Sequence, residues 1–254
     1  MRFSLRPQRL MLSATQAAVA ALMLPIAASA AATDPFFQYS GSTPLADVAP
    51  GTVLNSRTIP VYLAGFKSSY TATQIVYRST DAMQRPVANV TTIFSPDCSK
   101  ASCANKNKVL SYQSFYDSLN PEDSPSRAFA GGKRLPDIVP AVETILFGKY
   151  VKQGYTVIVS DTQGQRADFA AGPEYGYNTL DSIRAAFNAP QIGLDRDAKV
   201  AMMGYSGGAI ATEWAAELAR PLGISILLEA LNTWDNGPVI LSSTRDTLAL
   251  IDSA

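Results

Sequence analysis

Histidine is absent from all 254 residues of the chain. Its absence excludes every histidine-ligated metal site and removes the side chain that most often acts as a general base near neutral pH. Charge is sparse and balanced: charged residues make up 17%, with 21 Lys plus Arg against 21 Asp plus Glu. A nucleic-acid binder needs a basic face, which this balance does not supply. Cysteine is reduced to two residues, and two thiols without histidine make a poor metal site. There is no internal repeat, and no low-complexity tract beyond the first thirty residues. What the chain does have is apolar content, 47%, enough for a sizeable core and too much for disorder. The length fits one large domain or two small ones.

The N-terminus has the layout of a secretory signal. Arg2, Arg6 and Arg9 form a basic start, 10–26 is rich in Ala, Leu, Met and Val, and Ala28-Ser29-Ala30 is a small-residue cleavage site. A membrane anchor is the competing reading; Ser13, Thr15, Gln16 and Pro25 weigh against it. Cleavage after residue 30 removes three arginines and no acid, leaving a net charge of −3. The expected location is secreted or periplasmic, with no stable membrane span once the signal is cut. In that oxidising setting Cys98 and Cys103, within the polar loop SPDCSKASCANKNK, are expected to form a disulfide. Closing so short a loop adds little to global stability.

Residues 31–50 are aperiodic and read as a surface-running segment. The runs 72–79 (ATQIVYRS) and 86–94 (PVANVTTIF) are β-branched and flank a turn at 81–84, which predicts an antiparallel hairpin. The stretch 108–113 (KVLSYQ) is a short apolar strand, and 121–136 is a proline-rich loop with room for one helical turn. Then the pattern changes. A helix over 141–152 ending at Gly154, a buried strand over 155–160, a helix over 178–188, a buried strand over 199–203 and a helix over 207–218 follow in alternation. Hairpin first, then alternating helices and strands, predicts an α/β domain with a mostly parallel sheet.

The chemistry is concentrated in Met203-Gly204-Tyr205-Ser206-Gly207-Gly208. It holds G-x-S-x-G between a buried strand and an amphipathic helix, the setting of a nucleophile elbow. A serine held in a strained turn leaves no room two residues to either side, so Gly204 and Gly208 let the strand and helix backbones pass closely. Gly207 places its amide at the helix N-terminus, where it can serve as half of an oxyanion hole. A plain glycine-rich turn is the bland reading. A phosphate loop would need Lys-Ser/Thr after its last glycine, where Ala209 stands, and a dinucleotide fingerprint would need G-x-G-x-x-G.

Four segments resemble the secretory lipase family: PVANVTTIFSP, SYQSFYDSLNPEDSPS, QGYTVIVSDTQGQRADFAAGPEYGYNTLDSIRAA and KVAMMGYSGGAIATEWAAELA, covering most of 55–219. The resemblance implies an α/β-hydrolase core, a Ser–Asp–His triad, lipid or acyl-ester substrates and no cofactor. It matches Ser206 to the nucleophile and Asp117 to the second oxyanion-hole residue. Asp117 also lies just past a buried strand, where α/β sheets collect site residues; an Asx turn is its bland reading. Asp161 and Asp168, at the next strand end, read as structural. Tyr175 and Tyr177 read either as lining the acyl site or as packing.

After Ser206 come 48 residues and no histidine. The sequence from 220 onward departs from the family, and 1–30, 31–219 and 220–254 are expected to be signal, N-terminal part of the hydrolase domain and atypical tail. The expectation is a C-terminally truncated or frame-shifted product lacking the later strands and lid; a deliberately shortened domain is the alternative. The elbow strand would then stand at a sheet edge unless 224–231 (ISILLEAL) covers it. Asp235, Asp246 and Asp252 sit in no matching motif, and no motif sets Lys199 or Lys152 beside Ser206 as a replacement base. The function that the resemblance implies is an exported serine carboxylic-ester hydrolase, a triacylglycerol lipase or esterase, with the triad histidine lacking from this chain. The alternatives are a catalytically dead fragment and a non-catalytic acyl- or lipid-binding remnant.

Overall fold

β-branched and aromatic residues carry the first part of the chain into an antiparallel meander. In the computed structural model the described residues are 34–97, 107–132 and 135–219, with strand backbones at 227–228, 230–232 and 239–241. The expected signal segment 1–30, both cysteines and the remainder of 220–254 lie outside them. β1 (Val53–Leu63), β2 (Phe66–Thr80) and β3 (Pro86–Phe94) pair in sequence order. Ala64 and Gly65 join the first two with φ of 50° and 79°. Left-handed residues at both central positions give the turn a twist that matches the flanking strands. Between β2 and β3 the buried Asp81 carboxylate accepts the amides of Met83 (2.9 Å) and Arg85 (2.8 Å), and Arg85 Nε closes on it at 2.7 Å. The antiparallel part is therefore larger than a hairpin. β1 escapes the sequence reading because Asn55, Ser56 and Pro60 interrupt its pattern; as a strand at one end of the sheet it tolerates a proline without losing a ladder bond.

The parallel part follows. β4 (Lys108–Gln113), β5 (Thr156–Ser160) and β6 (Lys199–Gly204) give the order β1-β2-β3-β5-β4-β6-β7, where β7 is Leu227–Leu228. β3 meets β5 antiparallel, while β5–β4, β4–β6 and β6–β7 are parallel. All five residues of β5 are buried, as expected for a strand covered on both faces. β6 alternates instead, with Val200, Met202 and Gly204 buried and the residues between them only partly so. The sheet does not end at β6: Ala201 and Met202 pair with Leu227 and Leu228, within the segment that sequence offered as a cover. Ala230–Asn232 and Val239–Leu241 pair separately and antiparallel.

Helices cover both faces. The proline-rich loop holds more helix than one turn: α1 (Pro125–Phe129) is preceded by a 3-10 turn at Pro121–Asp123. α2 (Ile138–Lys152) packs Phe147 and Val151, with Phe129 of α1, against Phe94, Leu110, Tyr112, Val157 and Val159. On the opposite face α3 (Gly172–Asn188) and α4 (Gly207–Ala219) pack Leu180, Ile183, Ala215 and Ala219 against Ile75, Tyr77, Ile93, Ile158 and Met202. α3 starts six residues before its expected start. Gly172 and Gly176 look like helix breakers, but they are contact points. A Cβ on Gly172 would lie 2.6 Å from Trp214 Cδ1, and one on Gly176 2.8 Å from Leu218 Cδ1, so α3 and α4 approach through missing side chains. The architecture is an α/β fold with an open mixed sheet.

Candidate active site

The chain reverses direction at β4. From β4 it crosses through α1 and α2 on one face to β5; from β6 it enters α4 on the other face. Adjacent parallel strands whose helices leave on opposite faces open a crevice at their carboxyl ends. Gln113–Asp117 and Gly204–Gly207 border it.

On the β6 side, Ser206 has φ 52° and is exposed. An L residue in the left-handed region costs about 1–2 kcal/mol. The turn is held by Gly208 N–H donating to Tyr205 O (2.8 Å) and Ala209 N–H donating to Ser206 O (2.9 Å). Each glycine answers a different neighbour. A Cβ on Gly204 would run into the Gly208 carbonyl and lie 2.6 Å from Thr212 Oγ1, whose hydroxyl donates to Gly208 O at 2.9 Å. A Cβ on Gly208 would lie 2.8 Å from the Gln113 carbonyl carbon and 3.2 Å from Ser114 O. One on Gly207 would lie 3.0 Å from Asp117 Cγ. The elbow helix thus starts in contact with both β4 and the loop that follows it.

That loop is fastened on both sides of Asp117. Tyr116 is buried and its hydroxyl accepts the Gln163 amide at 2.9 Å; Ser118 N–H donates to Gln163 Oε1 at 3.3 Å. Ser118 Oγ also donates to Asp123 Oδ2 at 2.6 Å. Asp117 itself is exposed at the crevice mouth, and its amide donates back to Phe115 O at 3.0 Å. Partial loss of solvation raises its carboxyl above the ordinary aspartate range. The Phe115 ring meets Tyr205, the residue before Ser206, edge to face at 5.4 Å. Behind the loop, Glu143 of α2 is 1% exposed and accepts Ser114 Oγ–H (2.5 Å), Phe115 N–H (2.9 Å) and Tyr112 O–H (3.1 Å). Burial pushes its carboxyl up to about 7, against those three donors.

The other residues singled out from sequence lie in supporting positions. Asp161 is buried and accepts the Ser126 amide at 3.0 Å as well as the Ser126 hydroxyl, tying the end of β5 to α1. Asp168 pairs with Arg166 at 2.8 Å. Tyr175 is buried on α3 and its hydroxyl accepts the Ala170 amide; Tyr177 takes a hydrogen bond from Gln84. Lys199 opens β6 and Lys152 closes α2, both at the sheet end opposite Ser206. At about 3.3 Å per residue Lys199 is on the order of 20 Å away. Among the described residues there is no group of acids or thiols placed to hold a metal, and no helix long and apolar enough to cross a membrane.

Sequence reasoning passed over Gln163, Tyr116 and Glu143. Only Glu143 left a trace: it stands four and eight residues before Phe147 and Val151, on the buried stripe of α2.

Comparison with known proteins bears on the fold. Residues 133–221 match the secretory lipase family. Lipase 4 of Candida albicans is 36% identical over 223 residues, covering 84% of this chain and 46% of the relative. Lipase A of Moesziomyces aphidis is 37% identical over 233 residues, covering 86% and 47%. The crystal structure of Candida antarctica lipase A in its closed state superposes with a TM-score of 0.67 at 36% identity, covering 78% of this chain and 45% of that one. The chain spans less than half the length of the relatives it matches. On sequence and fold together, the chain is similar to the secretory lipase family and has an α/β-hydrolase architecture.

Proposed function

We propose that the crevice is an acyl-transfer site of an exported carboxylic-ester hydrolase, a lipase or esterase whose substrates are lipid or acyl esters. The observation that carries this reading is the strained, exposed Ser206 at a strand-to-helix turn, with Asp117 packed against the residue that follows it. Ser206 Oγ attacks the ester carbonyl carbon as the carbonyl electrons move onto oxygen. The Gly207 amide, at the positive end of α4, donates to that oxyanion. The Asp117 amide is the second donor. Its present acceptor, Phe115 O, lies two residues back in a bent turn, so exchanging it for an anionic oxygen is favourable. Collapse of the tetrahedral adduct expels the alcohol and leaves Ser206 acylated; water then attacks to release the acid.

The proton of Ser206 must pass to a base, and no imidazole exists in this sequence to take it. Neither Lys199 nor Lys152 is near enough to replace it. The chain by itself therefore acts on activated esters, whose leaving groups need no protonation. The missing imidazole also favours a second reading, a non-catalytic acyl- or lipid-binding remnant. Hydrolysis of p-nitrophenyl acetate separates the two. The ester-hydrolase reading expects a rate above buffer that Ser206→Ala loses; equal rates for both proteins would refute it.

A further inference from the structure

Glu143 is a buried acid bonded to the loop that faces the elbow, and ester hydrolysis as described above makes no use of it. Its three donors all come from the end of β4 and the start of the Asp117 loop: Tyr112, Ser114 and Phe115. Phe115 is the hinge of this arrangement. Its N–H is held by Glu143, its carbonyl receives the Asp117 amide, and its ring lies against Tyr205 beside Ser206. Ser114, another partner, has its carbonyl oxygen 3.2 Å from where a Cβ on Gly208 would stand.

We propose that Glu143 is a positioning residue, whose buried carboxylate fixes the Phe115 peptide and through it sets both the Asp117 amide and the Tyr205 side of the elbow. The proposal rests on the acyl-transfer reading of the crevice. A carboxylate holds an amide donor more strongly than a neutral acid does, so protonation of Glu143 loosens the Phe115 hydrogen bond. The titratable groups that face it are Tyr112 from β4 and Asp117 from the loop; Asp117 adds like-charge repulsion. The elements packed on α2 bring few others. β5 has none. Arg127 of α1 is engaged with Glu122 and Gln165, Arg57 of β1 with Gln74, and Asp137 precedes α2. With no histidine in the chain, few groups besides Glu174 of α3, which burial also raises to about 7, titrate near there, and Glu174 bonds the Ala82 amide rather than the Asp117 loop.

The test labels the full chain with ring-13C tyrosine and follows the Tyr205 ring resonances from pH 5 to 8, assigned by Tyr205→Phe. The expected result is a shift with a midpoint near 7 that disappears in Glu143→Gln. Ser114→Ala removes a donor that stabilises the carboxylate and moves the midpoint up; Asp117→Asn removes a like charge and moves it down. If Glu143→Gln does not fold, these two opposite displacements carry the test. A flat Tyr205 profile in the folded protein, or midpoints unmoved in Ser114→Ala and Asp117→Asn, overturns the proposal. A purely structural Glu143 lowers stability without linking the Tyr205 signal to pH. The readout involves no ester, so it is independent of whether Ser206 is acylated.

Discussion

Replacing Gly208 by alanine puts a methyl group where α4 touches β4. The new Cβ would stand 2.8 Å from the Gln113 carbonyl carbon and 3.2 Å from Ser114 O. Both are backbone atoms, so no rotamer change relieves the clash; the helix or the strand must move. Overpacking of this kind costs about 1–3 kcal/mol, and the upper end applies where only backbone can yield. For a domain of about 200 residues each kcal/mol lowers Tm by about 2–4 °C, so the expected fall is roughly 6–12 °C. Gly41→Ala is the matched control. Its Cβ meets the end of the Tyr39 ring, a surface side chain that can swing away at the loss of one hydrogen bond to Thr43 O. That change should cost under about 1 kcal/mol. Gly193→Ala isolates backbone strain, since its φ is 68° and nothing lies within 4 Å of the new Cβ; it should cost about 1–2 kcal/mol. Thermal melts of the three variants rank them. A Gly208→Ala protein as stable as Gly41→Ala would show that the elbow glycines are not there to let backbones pass.

Three further outcomes follow from other parts of the molecule. Ser206→Gly should melt higher than Ser206→Ala by roughly 0.5–1 kcal/mol, because relief of the left-handed strain exceeds the chain entropy that glycine adds; a lower melt would remove the claim of strain at φ 52°. Glu143 and Glu174 are each raised to about 7, chiefly by burial. The folded chain then binds protons more tightly than the unfolded one, and stability should decline as pH climbs from about 4.5 through about 7. A stability curve rising over that interval in urea melts would contradict the assignment, and Glu143→Gln should flatten part of the decline. Exported protein alkylated without reductant should show Cys98 and Cys103 joined; two alkylated thiols in folded material would refute the disulfide.

The parts of the fold legible in sequence are those whose cause is local. β3, β4 and the start of α4 fall at the expected residues because β-branched runs and the Gly-x-Ser-x-Gly turn act over a few positions. β1 and the first turns of α3 were hidden for the opposite reason. Pro60 is tolerated because its strand is an edge, and Gly172 and Gly176 are required because Trp214 and Leu218 occupy their side-chain space. Both facts are tertiary. The site divides the same way. Ser206 and its three glycines stand together in one hexamer, whereas Asp117 was placed by the family's motif and by its position after a buried strand. Gln163 and Glu143 reach the Asp117 loop only once β5 and α2 have packed beside β4. A glutamate on an apolar helical stripe was a signal available in the sequence, and its partners were not.

Acetylation of Ser206 tests the central claim most directly. Without an imidazole to activate water, an acyl-enzyme once formed should persist. The chain would be incubated with p-nitrophenyl acetate, digested and mapped by mass spectrometry, with Ser206→Ala in parallel. The account predicts that the peptide containing Gly204–Gly208 gains an acetyl group on Ser206 faster than any other serine-bearing peptide, and that this signal vanishes in the variant. Acetyl groups spread over exposed serines with no preference for Ser206 would contradict it.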